Sequence, residues 1–216
     1  MLLDNKIAAV TGGSAGIGRG ITEAFLREGA KVAIMARNAE KAERMLQELN
    51  AGDRLIFVQG DATVQDSVEG FIDETVSTFG TIDILVNNAG GAGGDLQPTA
   101  SLSDEEFDLC MKINLYATFW GIRKALKTML AKQSGRIINI SSVEGKHGKP
   151  VLTPYTAAKH AINGMTKSVA REVGTEGITV NSICPGLILT DIVMDTGPAT
   201  AEAMGLTFDE MVSMFV

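Results

Sequence analysis

The 216-residue chain is 45% hydrophobic, 21% charged and only 5% aromatic, with 24 glycines and a mean hydropathy of +0.14. That balance excludes a disordered polypeptide, and the glycines follow no collagen-like repeat. Nineteen basic against 26 acidic residues leave a net charge of −7, which argues against holding nucleic acid or an anionic membrane by charge.

The length suits one domain with its own core. Cys110 and Cys184 are too few and too far apart for a disulfide framework or a zinc site, which fits a reducing compartment. No basic, apolar leader opens the sequence, and no apolar run nears the roughly 18 residues of a membrane helix. The expectation is a soluble cytoplasmic globular protein, and composition says nothing of its activity.

In chain order, short β-rich runs recur at Ile7–Val10, Val32–Met35, Leu55–Val58, Ile82–Val86, Ile137–Ile140 and Ile178–Ile183. Helical patterns lie between them. In one, Asn38 is a candidate N-cap, Ala42, Met45, Leu46 and Leu49 form an apolar stripe, and Glu40 and Arg44 are spaced to pair. Apolar strands alternating with helices predict an α/β fold: a doubly wound parallel sheet with helices on both faces, in a single domain over residues 1–216.

The first strand runs into Thr11-Gly12-Gly13-Ser14-Ala15-Gly16-Ile17-Gly18, followed by a helix over about 17–28. Such a turn lets backbone N–H groups approach a pyrophosphate at the positive end of the helix, where a Cβ would intrude. The spacing is G-x3-G-x-G, not the commoner G-x-G-x-x-G. The second strand ends in Met35-Ala36-Arg37-Asn38, without the acid that usually holds an NAD ribose. Arg37 could instead pair with a 2′-phosphate, so NADP is expected ahead of NAD.

Further on, the fifth strand ends in Ser141-Ser142, and thirteen residues after Ser142 comes Tyr155, with Lys159 four beyond. On a helix, Tyr155 and Lys159 share one face. A phenol with a pKa of about 10 is a poor base near neutrality. A neighbouring ammonium and a cationic nicotinamide would favour the phenolate; the three units needed amount to roughly 4 kcal/mol. Tyr155 could then exchange a proton with a carbinol or carbonyl oxygen held by the serine while hydride moves. Tyr-x3-Lys alone occurs on many amphipathic helices; its conjunction with the serine and the glycine turn carries the weight.

Together these motifs resemble the short-chain dehydrogenase/reductase family, in its compact single-domain, Rossmann-like branch, over essentially the whole chain. Thr11, Gly12, Gly16 and Gly18 match its cofactor turn, which also includes Ser14 and Ile17, and Asn87-Asn88-Ala89-Gly90 matches the segment after its fourth strand. Asn114, Ser142, Tyr155 and Lys159 match its catalytic tetrad, and Pro185, Gly186 and Thr190 match its nicotinamide loop. Asp61 sits where the family contacts adenine. The resemblance implies that Tyr155 is the general acid/base and that Ser142 positions the substrate oxygen. It implies further that Lys159 tunes Tyr155 and binds the nicotinamide ribose, and that Asn114 holds a relaying water. Asn88 and Gly90 would line the cofactor site, and the protein would be a homo-tetramer or homo-dimer. Asn114 has a local signal as well, as a weak helix former inside a regular stretch with Phe107, Met111, Leu115 and Phe119 on one face.

The expected reaction is hydride transfer between a nicotinamide cofactor and a secondary alcohol or ketone. A 3-oxoacyl thioester reductase shares every motif, with Arg123, Lys124 and Lys127 as candidates to dock a carrier protein. A non-catalytic dinucleotide sensor would be expected to lose one of Ser142, Tyr155 or Lys159, and a sugar-nucleotide epimerase needs a larger substrate domain. No metal site is expected from two histidines without partners; His147 either lines the substrate pocket or sits on a surface loop. Met111, Met129 and Met165 read as core filler and Cys184 as packing. The apolar stripe Met204, Phe208, Met211, Val212 and Phe215 makes 191–216 a candidate substrate lid, or a helix packed on the sheet or a partner subunit. A lid would suit an apolar or ring-bearing substrate. Against the family the final strand is absent, so the lid is expected to be truncated at its C-terminal end.

Overall fold

Six strands form one parallel sheet in a computed structural model that describes residues 1–94, 96–203 and 205–215, the side chains of Asp191, Ile192, Thr196, Ala203, Met214 and Phe215 excepted. They are β1 (Ile7–Thr11), β2 (Lys31–Ala36), β3 (Leu55–Gln59), β4 (Ile84–Asn87), β5 (Gly135–Ile140) and β6 (Ile178–Ile183), in the order β3-β2-β1-β4-β5-β6. All six expected strands are present. The helices are α1 (Gly16–Arg27), α2 (Ala39–Leu49), α3 (Gln65–Phe79), α4 (Asp104–Met111), α5 (Ala117–Ala131), α6 (Thr153–Val173), α7 (Asp191–Ala203) and α8 (Phe208–Phe215).

Strand periodicity divides the core into two layers. Ala8 and Val10 of β1 pack with Leu26 of α1 and Met45 of α2, whereas Ala9 packs with Phe71 of α3 and Ile122 of α5. Alternate residues point to opposite faces, so a strand buried on both sides must be apolar throughout. Fully burying a side chain such as Phe71 or Ile34 contributes about 1.5–3 kcal/mol. One face of β6 is bare, with Thr179, Asn181 and Ile183 exposed.

Local signals account for several helix boundaries. Asn38 caps α2, its Oδ1 accepting from Lys41 N–H at 2.8 Å, and Glu40 and Arg44 pair at 2.9 Å as their spacing predicts. Ser103 and Glu106 form a reciprocal capping box at the start of α4. Between α4 and α5 the backbone widens into a π-helical turn over Lys112–Tyr116, the disturbance expected at Asn114. That extra residue changes which face points inward. Cys110, Asn114, Thr118 and Ile122 are buried, while Phe119 is exposed and Phe107, Met111 and Leu115 are half-buried.

In the C-terminal segment, α7 and α8 pack on each other, with Phe208 so close to Gly197 that a Cβ there would lie 2.3 Å from the ring. Met211 is buried and Val212 half-buried; Met204, Val216 and the side chain of Phe215 lie outside the described residues.

Candidate active site

The sheet order reverses between β1 and β4, and a cleft opens at their carboxyl ends, where doubly wound sheets place their ligands. It encloses about 320 Å³. The turn after β1 forms one wall. Gly12 and Gly16 take left-handed conformations at φ +65° and +51°, and a Cβ on Gly18 would lie 2.0 Å from the carbonyl oxygen of Gly12. Glycine is therefore required at Gly18 by close packing of helix against turn; this residue supports the cleft from behind and does not line it.

Thr11, the first residue of the turn motif, holds the turn to β4. Its Oγ1 accepts from the N–H groups of Asn88 and Ala89, each at 3.0 Å. Asn88 reciprocates, its Nδ2 donating to the carbonyls of Thr11 at 2.9 Å and Gly12 at 3.1 Å. The side chain of Asn88 thus braces the glycine turn, and the residue also lines the cleft. Helix α1 starts at Gly16 with no side-chain cap and no acidic residue in its first turn. Uncapped amides at a helix start, beside glycines with no Cβ in the way, fit a pyrophosphate.

At one end of the cleft stand Arg37 and Asp61. Asp61 is held below the usual carboxylate range, first by the N–H of Thr63 at 2.8 Å, then by the Thr63 hydroxyl and the Arg37 charge, against some desolvation. Its Oδ1 is thereby engaged locally, and the tip of β2 presents only the guanidinium of Arg37. At the other end are Ser142, Tyr155, Lys159, Pro185, Gly186 and Thr190, with Ser14, Gly12, Gly16, Ile17 and Gly90 between. Sequence reasoning missed Gly91 and Ile113, which also line the cleft; Ile113 is brought there by the π-turn, for which the only signal was its neighbour Asn114.

Tyr155 and Lys159 share one face of α6, Nζ lying 5.4 Å from the centroid of the phenol ring. Ser142 and Tyr155 both line this end of the cleft, close enough for the serine hydroxyl to act on the phenol. Lys159 is only 3% exposed and donates to the carbonyl of Ile140 at 2.9 Å. Burial pulls its pKa down to about 8, against the opposing influence of the Cys110 and Cys184 thiols. The phenol of Tyr155 is displaced upward, chiefly by burial, with the Ser142 hydrogen bond acting against it. The expected lowering by the ammonium is thus not produced by the chain's own groups. The ammonium sits over the ring, not at the hydroxyl, and directs its hydrogen bond at Ile140.

Asn114 lies fully buried behind Gly90 and Gly91 and does not line the cleft. Its Nδ2 donates to the carbonyls of Gly91 at 2.7 Å and Cys110 at 2.8 Å, and its Oδ1 accepts from Gly91 N–H at 3.2 Å. His147 is exposed and Cys184 half-buried, while Met129 and Met165 belong to the core. Arg123 is ion-paired with Glu69 and Lys124 with Asp73, so α3 carboxylates already occupy two of the three candidate carrier-docking cations. Among the described residues no group of three or more His, Cys, Asp or Glu side chains could hold a metal, and no helix is long and apolar enough to cross a membrane.

A family model described as short chain dehydrogenase matches residues 6–201. The chain belongs to that family. This dehydrogenase is 37% identical over 205 residues to (+)-borneol dehydrogenase 2 of Salvia officinalis, covering 95% of this chain and 72% of that relative. It is 42% identical over 189 residues to the 3-oxoacyl-[acyl-carrier-protein] reductase FabG of Staphylococcus aureus, covering 87% of this chain and 76% of the relative. Among solved structures, actinorhodin polyketide ketoreductase with NADPH aligns with a TM-score of 0.88 at 34% identity, over 95% of this chain and 79% of the other. Levodione reductase aligns with a TM-score of 0.87 at 32% identity, over 93% and 78%. The dehydrogenase is an NAD(P)-dependent oxidoreductase that moves hydride between a nicotinamide and an alcohol or ketone carbon of a small molecule.

Proposed function

We propose that this dehydrogenase interconverts an apolar secondary alcohol and its ketone, with NADP(H) preferred, and that Tyr155 is the group exchanging the proton. The meeting of Ser142, Tyr155 and Lys159 at one end of the cleft, with the ammonium over the phenol ring, carries the reading. Gly12, Ser14, Gly16, Ile17 and Asn88 would hold the pyrophosphate side, Arg37 a 2′-phosphate and Asp61 the adenine end. Gly90, Lys159, Pro185, Gly186 and Thr190 would hold the nicotinamide end, and Gly18 would shape the turn from behind. When bound, the cofactor supplies or accepts hydride at the substrate carbon.

In the reductive direction Ser142 holds the carbonyl oxygen and Tyr155 gives it the phenolic proton as the carbon gains hydride. Oxidation reverses both transfers, and the proton returns to Tyr155. The upward displacement of the Tyr155 pKa keeps the phenol protonated near neutrality, which suits the acid role in ketone reduction. Lys159 holds its positive charge over the phenol ring and lines the cleft at the nicotinamide end. Asn114 would position a water through which that phenolate regains its proton.

A hollow of only about 10 Å³ adjoins Tyr155, too small to hold a substrate itself, and its apolar walls favour an apolar one. It is lined by Leu96, Leu102, Val151, Leu152 and Pro154, with Glu106 as its one charged side chain among the described residues. Both carboxylate oxygens of Glu106 are engaged, by Gln97 and by Ser103, so hydrocarbon is what the hollow offers. The segment 191–216 would act as the lid. A 3-oxoacyl thioester reductase is the second reading, favoured by the 42% identity to FabG and disfavoured by the ion-paired state of Arg123 and Lys124. We further infer a cytoplasmic homo-oligomer.

The test is a panel of cyclic ketones, secondary alcohols and 3-oxoacyl thioesters with both cofactors, following reduced-nicotinamide absorbance, with Tyr155→Phe alongside. Turnover of apolar ketones, lost in Tyr155→Phe while cofactor affinity stays within a few-fold, supports the assignment. Turnover of thioesters alone selects the second reading, and unchanged turnover in Tyr155→Phe removes Tyr155 from the chemistry.

A further inference from the structure

The turn between Ser142 and Tyr155 carries an ionisable group that the mechanism above does not use. Glu144 is 4% exposed, among the least accessible carboxylates a chain can carry unless it is paired. Its Oε1 lies 3.6 Å from Lys149 Nζ, across the five-residue span that closes the turn, and its Oε2 is buried without a hydrogen-bond partner. Its own N–H donates to Ser142 Oγ at 3.1 Å, and the Ser142 hydroxyl acts in turn on the Tyr155 phenol. The next residue, Gly145, is clamped onto α6, its carbonyl accepting from Asn163 Nδ2 at 2.9 Å. A Cβ there would come 2.8 Å from the carbonyl of Lys159. The turn is therefore pinned directly over the helix that presents Tyr155 and Lys159.

We propose that Glu144, clasped by Lys149, is a positioning residue for the Ser142–Tyr155 pair. Its main chain orients the serine hydroxyl, and its buried negative charge, balanced by Lys149, sets how readily Tyr155 gives up its proton.

Two effects follow, and both have a sign. The carboxylate disfavours a second negative charge nearby, so it holds the phenol in its protonated form; Glu144 is among the groups displacing Tyr155 upward. Lys149 offsets that influence from the same turn. The other groups facing Tyr155 are Lys159 on its own helix, the Cys110 thiol and the Glu106 carboxylate from α4, and the Ser142 hydroxyl. None of these is altered by changing Glu144 or Lys149.

The proposal rests on Tyr155 being the proton-transfer group, so Tyr155→Phe is assayed in parallel; turnover surviving there would count against that assignment and not against the clasp. The experiment is the pH profile of kcat for alcohol oxidation in the wild type, Glu144→Gln and Lys149→Met, with NADP affinity measured on each. Glu144→Gln keeps the shape and removes the charge, and its alkaline-rising limb should move toward acid by about half a unit or more, roughly threefold in rate at a fixed pH on the limb. Lys149→Met, at a partly exposed position, should move the limb the opposite way with NADP affinity within about twofold. Limbs that stay together in all three proteins, or move in the same direction in both variants, overturn the proposal. Should Glu144→Gln not fold, as judged by circular dichroism, the Lys149→Met limb decides alone: an alkaline shift supports the clasp and an unmoved limb overturns it.

Discussion

Lys159 Nζ stands 5.4 Å from the centre of the Tyr155 ring and gives its hydrogen bond to the carbonyl of Ile140, 2.9 Å away. The ammonium is therefore fixed by β5, the strand whose end leads directly into Ser142. Sheet, serine, tyrosine and lysine form one rigid unit, with the charge below the phenol and not beside its hydroxyl. The unit keeps a cation almost out of water, and that has a measurable consequence for stability.

Burial lowers the Lys159 pKa from 10.5 to about 8. Between those values the unfolded chain binds more protons at this residue than the folded one, so stability should rise with pH across the window. The gain over the full span is about 3 kcal/mol, and below pH 8 it is absent because the lysine is charged in both states. Above pH 10 the raised Tyr155 works in the opposite sense, because the folded state then keeps a proton that the unfolded state has lost. Urea denaturation between pH 7.5 and pH 9.5 should show wild-type stability rising and Lys159→Met changing much less. Parallel slopes in the two proteins would remove Lys159 as the cause.

Two glycines four positions or fewer into α1 should respond oppositely to the same change. A Cβ at Gly18 would meet the Gly12 carbonyl at 2.0 Å and Asn88 Nδ2 at 2.6 Å, whereas a Cβ at Gly20 meets nothing within 4 Å. Gly18→Ala should weaken NADP binding by about tenfold or more by displacing the turn, and Gly20→Ala should leave binding alone and stabilise the helix by up to about 1 kcal/mol. Titration calorimetry and thermal melts separate the two effects.

Cofactor choice should follow the tip of β2. Arg37 is exposed there, and no acidic residue accompanies it between Ala36 and Asn38. Arg37→Asp should reverse the preference from NADP toward NAD, by about tenfold or more in the ratio of kcat/KM values, through loss of a bidentate phosphate partner and gain of a ribose acceptor. An unchanged ratio would mean that the 2′-phosphate is held elsewhere.

Asn114 satisfies both the N–H and the carbonyl of Gly91, at 3.2 and 2.7 Å, and is fully buried. Asn114→Ala would leave those two backbone groups without this partner, at a cost of about 1–3 kcal/mol. Urea midpoints should fall accordingly, and activity should fall further than stability alone explains, because Gly91 lines the cleft.

From the sequence alone, six apolar strands, their parallel arrangement and the glycine turn were legible, because period-2 burial on both faces and the demand for glycine at a close helix–strand turn are local requirements. Ser142, Tyr155 and Lys159 were legible as chemistry for a related reason: helical spacing places the last two on one face, and the serine follows closely on a strand end. Only the tertiary structure decided that the ammonium bonds to Ile140 and that burial moves the phenol upward, since both depend on which β5 carbonyl the helix crosses. The same holds for the inward face of α4 and α5, rotated by the π-turn, and for Gly18 and Asn114, which stand behind the cleft wall. Glu144 was invisible for that reason too: a carboxylate two residues after a serine reads as solvent-facing until the turn folds onto α6 and closes water out. Local periodicity sets which elements form. Burial and charge at a site are sums over distant elements, and they exist only once those elements have packed.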